Sequence, residues 1–190
     1  MKRVLLATTN VDKYNAVSLV FKNTIFPEDK YIIEGLFQLD EVIKDEKEEG
    51  NNIERARRKA MQVFEELKNN TYDYIVGLDD AIRVKGRLEP SIKQYLNKIL
   101  YENYIEDGDE YSFNRAYCIL DKNGTLYETN IDIPYIYHST DSFELEEHSY
   151  PLSKVAYPIG YDKPICELNE KEEVNYYLSY VKDKLMDLNI

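Results

Sequence analysis

Val4-Leu5-Leu6-Ala7-Thr8-Thr9-Asn10-Val11-Asp12-Lys13 reads as a strand, a tight polar turn and the first turn of a helix. The apolar run Val4-Leu5-Leu6-Ala7 is short and uninterrupted, as in a strand buried on both faces. From Lys13 on, Ala16, Val17, Val20 and Phe21 recur at helical spacing. A strand feeding a helix through a polar turn opens an α/β fold. The helix start presents backbone N–H groups with the helix dipole behind them, a combination that favours an anion. Thr8, Thr9 and Asn10 add donors and Lys13 adds charge. The stretch lacks a Walker-type glycine pattern, so two readings stand: a phosphate site, or an ordinary polar loop in a first strand–helix unit.

A second apolar run, Tyr74-Ile75-Val76-Gly77-Leu78, leads into Asp79-Asp80. We expect a strand over 73–78 with the two carboxylates at its end, where open α/β sheets place ligands. Adjacent carboxylates repel unless a cation or donors offset them. Phosphate donors on one loop and carboxylates on another suit a Mg²⁺–phosphate substrate. The competing reading is a strand-end turn, where Asp is common.

Between these segments, 31–39 alternates like a strand and 40–52 is mostly acidic, with Glu46, Glu48 and Glu49, and reads mainly as a solvated loop. Ile53, Ala56, Ala60, Val63, Phe64 and Leu67 share one helical face, with Asn52 as the expected cap. Further on, 92–104 is expected to be a helix, 113–120 a strand, and 126–133 its return partner across Asn123-Gly124. That hairpin makes the sheet mixed. Residues 135–153 read as a loop or variable insertion, and 171–188 as a closing helix with Val174, Tyr177, Leu178, Val181, Leu185 and Leu188 inward.

The net charge of −12 argues against a partner that is a nucleic-acid backbone. It leaves room for a small anion at local lysines and a metal. The first residues are too short in their apolar part for a secretory signal, and the chain carries no apolar run of membrane-spanning length, so it reads as cytoplasmic. Cys118 and Cys166 lack metal spacing, and Cys118 reads as a core thiol. His138 and His148 receive no role. The 18 tyrosines carry no functional reading and are put down to compositional bias.

In order, these pieces resemble the inosine triphosphate pyrophosphatase (ITPase) family. The family's Thr-Gly/Ser-Asn-x-x-Lys resembles Thr8-Thr9-Asn10-Val11-Asp12-Lys13, and its Asn-Ala-x-x-Lys-Ala resembles Arg55-Ala56-Arg57-Arg58-Lys59-Ala60. Its Asp-Asp-Ser-Gly-Leu resembles Asp79-Asp80-Ala81-Ile82-Arg83. Its Pro-Gly-x-Tyr-x-Lys resembles the segment from Pro90 to Tyr95, and its Phe-Gly-Tyr-Asp resembles Ile159-Gly160-Tyr161-Asp162. The resemblance spans nearly the whole chain as a single domain, 1–190.

It implies an elongated, mixed, twisted sheet flanked by helices, with two lobes and a central cleft. It implies Mg²⁺-dependent hydrolysis of nucleoside triphosphates, such as the deaminated purines ITP and XTP, to monophosphate and pyrophosphate. Asp80 is the implied metal ligand and water-orienting base, supported by Asp79. Glu48 or Glu49 would complete the metal set, with Glu46 as the alternative alignment. Thr8, Thr9, Asn10, Lys13, Lys59 and Lys93 would bind the triphosphate. Gly160, Tyr161 and Asp162 would cover the nucleotide, Tyr161 by stacking on the base. A homodimer is implied as well.

The chain departs from the family where the base is read. Ser-Gly is replaced by Ala81-Ile82, and the terminal Ser-His-Arg is missing from 170–179, with Glu173 or Lys171 in place of the preceding Lys. A site without those donors loses discrimination. The alternative is a non-catalytic, nucleotide-binding relative that keeps the fold.

Overall fold

The computed structural model describes residues 1–39, 49–67, 71–89, 92–140 and 152–190. The helices are α1 (Val11–Lys22), α2 (Asn52–Glu66), α3 (Ile92–Tyr101) and α4 (Glu170–Met186). The strands are β1 (Lys2–Leu6), β2 (Tyr31–Gly35), β3 (Tyr74–Val84), β4 (Arg87–Glu89), β5 (Glu110–Asp121), β6 (Leu126–Tyr137) and β7 (Ala156–Pro158). They form one seven-stranded sheet in the order β2-β1-β3-β5-β6-β7, with β4 pairing β3. β1 is parallel to β2 and β3, whereas β4 and β7 run antiparallel to β3 and β6. β5 and β6 are sheet neighbours joined by the turn at Asn123-Gly124, as expected. Among the described residues no helix is long and apolar enough to cross a membrane.

The chain divides into two compact units. The first comprises Met1–Asp79, Arg115–Ile131 and Val181–Ile190; the second comprises Asp80–Asn114 and Asp132–Tyr180.

In the first unit, helices cover both faces of the sheet. Ala56, Ala60 and Val63 of α2 share a core with Leu5, Ile75, Ala116, Cys118 and Leu120. Phe21 of α1 packs at 5.4 Å on Tyr117, which alternation turns to the opposite face from Ala116 and Cys118. Covering on both sides is why Val4, Leu5 and Leu6 are all fully buried. α2 is capped one residue earlier than expected. Asn51 Oδ1 accepts the Glu54 N–H at 3.0 Å, and Glu54 returns the contact to the Asn51 N–H at 2.9 Å. Only Asn51 stands three residues before a Glu, so only it can close this reciprocal box. Asn52 is instead the first helical residue and is buried.

In the second unit, β3 turns into β4 through Lys85 (φ 49°) and Gly86 (φ 79°). Positive φ at both positions is the geometry of a two-residue hairpin, here without the Asn-Gly or Asp-Gly that usually signals one. β6 runs to Tyr137 rather than stopping at Ile133, so 135–137 is strand, not loop, and pairs with β7. Pro134 interrupts the pattern by removing a donor. The alternation of buried Ile131, Ile133, Tyr135 and Tyr137 nevertheless runs through it.

Tyrosines build this unit's core. Tyr135 lies 5.0 Å from Phe113 and 5.5 Å from Tyr176, ring centre to ring centre, and Tyr111 lies 5.6 Å from Phe113. On α4 the buried tyrosine is Tyr176, not the expected Tyr177. Its hydroxyl donates to Pro134 O and accepts the Ile159 N–H.

Candidate functional site

The β1–α1 turn is held by its own side chains. Thr8 Oγ1 accepts the Asn10 N–H at 3.2 Å, and Asn10 Oδ1 accepts the Lys13 N–H at 2.9 Å. Asn10 therefore caps α1, which leaves its amide nitrogen as the donor for a ligand. Thr9 and Asn10 are exposed, Thr8 and Lys13 half-buried. The turn is tied to the sheet at the carboxyl end of β1, where the Ala7 N–H donates to Val76 O at 2.8 Å.

The strand carrying the Asp pair does not end there. β3 runs on to Val84 because Ala81, Ile82 and Val84 are buried and 82–84 pair with β4. The pair is instead placed past the end of its neighbour: the β1–β3 ladder stops at Leu6 opposite Val76. Alternation sends Asp79 and Asp80 to opposite faces. Asp79 is buried and Asp80 partly exposed.

Asp79 is met by α2 across an unusually close approach. A Cβ on Gly77 would lie 1.8 Å from Ala56 O and 2.8 Å from Ala60 N. With the helix backbone against the strand, Arg55 and Lys59, one turn apart on α2, both reach Asp79. Lys59 Nζ donates to Asp79 Oδ1 at 2.7 Å. Arg55 Nη2 stands 2.6 Å from Oδ2, an ionic contact rather than an aligned hydrogen bond. The Arg55 side chain is 6% exposed and that of Lys59 32%.

Asp79 is thus not a bare carboxylate awaiting a metal but one held by two cations. From the sequence Arg55 is one of a run of basic residues with no role of its own. The signal that could have found it is its place beside Ala56 and one turn before Lys59, on the face that packs inward. Arg57 is spent elsewhere: it forks onto Glu128 at 2.7 and 2.8 Å and holds that carboxyl below its usual range. Beside that pair, burial and Glu128 push the Cys118 thiol up to about 12, making it an inert core group.

Replacing Asp79 by Asn takes from buried Arg55 and half-buried Lys59 the carboxylate they share. We expect a loss of about 3 kcal/mol, read as a lower urea midpoint, and a midpoint within error of wild type would show that the triad is not structural.

Of the expected metal ligands, Asp80 is partly exposed on β3, Glu49 is exposed just before α2, and Glu48, like the alternative Glu46, lies outside the described residues. Among the described residues no three His, Cys, Asp or Glu side chains gather as a metal set. Asp79 does not fit the part of a Mg²⁺ ligand, because its oxygens face two cations.

In the second unit, Lys93 falls on α3. Gly160 takes φ 88° in the turn after β7, and Tyr161 N–H donates to Pro158 O at 3.0 Å. The Tyr161 ring meets Tyr176 edge-on at 6.0 Å, and Asp162 is exposed. His138 stands 3.4 Å from Asp107, while His148 lies outside the described residues.

Solved structures share this arrangement of strands and helices. A HAM1 protein from Coxiella burnetii superposes with a TM-score of 0.66 at 12% identity, over 100% of this chain and 98% of that one. A nucleoside-triphosphatase described as a dITP/XTP pyrophosphatase, from Mycobacterium abscessus, gives 0.61 at 14% identity, over 98% and 97%. The chain has the ITPase/Ham1 fold. The Staphylococcus aureus Ham1 protein matches equally, at 0.61 and 13% identity over 98% and 94%. No family model matches the ITPase-like chain, and no curated protein does. At 12–14% identity the likeness carries the fold and not the roles of residues.

Proposed function

We propose that this ITPase-like protein hydrolyses nucleoside triphosphates to the monophosphate and pyrophosphate. The observation that carries the reading is the first unit's grouping at the carboxyl end of β1: a capped, lysine-bearing helix start tied to Val76, and three residues on from Val76 an aspartate, Asp79, that holds Arg55 and Lys59. Its setting is a fold shared with a dITP/XTP pyrophosphatase.

Thr8, Thr9, the Asn10 amide and Lys13 bind and orient the phosphates, and Lys59 and Lys93 add charge to them. Asp80 and Glu49 or Glu48 would hold Mg²⁺, which would offset charge on the phosphates and on the leaving pyrophosphate. Asp80 also orients the attacking water and accepts its proton. Tyr161 stacks on the base, and Tyr176 fixes the turn that carries it. The homodimer belongs to the same reading, and sedimentation finding only a 22.5 kDa species at high concentration would remove it.

Base choice is expected to be weak. Ala81 and Ile82 are fully buried and offer no side-chain donors. On α4, Glu172 is engaged by Lys163 at 2.8 Å and by the Asn169 N–H at 3.0 Å. Stacking and triphosphate contacts do not distinguish a deaminated purine from an ordinary one. Comparing kcat/KM for ITP and XTP with ATP, GTP and pyrimidine triphosphates tests this. A spread under about a hundredfold is expected, and a larger preference for ITP would mean that other residues read the base.

A further inference from the structure

Asp79 holds two cations where one would neutralise it, and the two are not equivalent. Arg55 is buried, with Nη2 2.6 Å from the carboxylate, whereas Lys59 stands a third exposed on a flexible stem. We infer that Arg55 is a positioning residue: it keeps Asp79 compensated while Lys59 leaves the carboxylate for an incoming phosphate group. This rests on the triphosphate reading of the site and adds a mechanism to it.

A buried carboxylate stripped of its only cation is costly, so Lys59 alone on Asp79 would stay there. With Arg55 behind it, Lys59 can swing out without leaving a bare charge. Lysine suits the mobile role, being a point charge that binds phosphate without a required plane. Arginine suits the fixed one, because its weakly hydrated guanidinium tolerates burial.

The test is binding of inorganic tripolyphosphate in EDTA, followed by calorimetry, so that neither metal nor turnover enters. Arg55→Gln should weaken binding about tenfold or more, because Lys59 then stays with Asp79. In an Asp79→Asn background the same substitution should change affinity less than about threefold, since no carboxylate competes for Lys59. Arg55→Lys, which keeps the compensating charge, should remain within about threefold of wild type. Equal weakening by Arg55→Gln with and without the Asp79 carboxylate overturns the inference, as does an Arg55→Lys loss as large as that of Arg55→Gln. If Asp79→Asn does not fold, the comparison is Arg55→Gln/Asp79→Asn against Arg55→Gln: recovery supports the inference, and persistent weakness assigns Arg55 a direct phosphate contact instead. A wild-type protein that binds no tripolyphosphate removes the proposed function itself, and the inference with it.

Discussion

Gly77→Ala is expected to leave the protein without a stable native state. The added methyl would sit 1.8 Å from Ala56 O and 2.8 Å from Ala60 N, both backbone atoms of α2. No side chain can rotate away to make room. The helix must lift off β3, taking Ala56, Ala60 and Val63 from the core they share with Leu5 and Ile75. The same lift draws Arg55 and Lys59 from Asp79. A destabilisation above about 4 kcal/mol is expected, at the upper end for a single substitution. Gly124→Ala is the control. It also strains a positive φ, of 85°, but a Cβ there meets nothing within 4 Å. It should cost only about 1 kcal/mol. Urea midpoints of the two variants check this, and equal midpoints would show that the helix–strand approach is not tight.

Asp80→Asn should reduce Mg²⁺-dependent release of pyrophosphate at least about a thousandfold while leaving the fold intact. The amide is a poor metal ligand and cannot take a proton from water. Because Asp80 is partly exposed and Asp79 buried, the variant should lose less in urea midpoint than Asp79→Asn. The two neighbours are thus expected to separate cleanly, one governing turnover and the other stability. Near-wild-type turnover in Asp80→Asn would take it out of the chemistry.

What was legible in the sequence is what local chemistry decides. The apolar run from Val4 and the helical spacing after Lys13 sufficed for β1, the turn and α1, because a doubly covered strand and an amphipathic helix leave direct traces. The Asn123-Gly124 turn likewise announced β5 and β6. Where the reading failed, a rule about single residues gave way to a partner far along the chain. The two carboxylates read as the end of β3, yet Ala81, Ile82 and Val84 are buried and β4 supplies the edge. The Lys85-Gly86 turn was missed because Lys seldom signals a left-handed position. Pro134 reads as a strand end, although the alternation continues through it and its carbonyl accepts the Tyr176 hydroxyl. Helical spacing favours Tyr177 over Tyr176, since spacing alone cannot tell which of two adjacent tyrosines is the more deeply buried.

The candidate site divides along the same line. The types and order of Thr8, Asn10, Lys13, Lys59, Asp79 and Asp80 were visible as motifs. That Lys59 and Asp79 form a pair was not, because it follows from the register of α2 on β3, set by Gly77 against Ala56. Arg55 belonged to a run of basic residues whose ordinary reading is a solvated face. Only its burial separates it from Arg57 and Arg58.

Phosphorus NMR of the products formed from a nucleoside triphosphate with Mg²⁺ tests the central claim most directly. Signals of monophosphate and pyrophosphate should grow together in equal amounts, and neither should grow with Asp80→Asn. Diphosphate with orthophosphate, or a folded wild-type protein that binds triphosphates and turns none over, would contradict it.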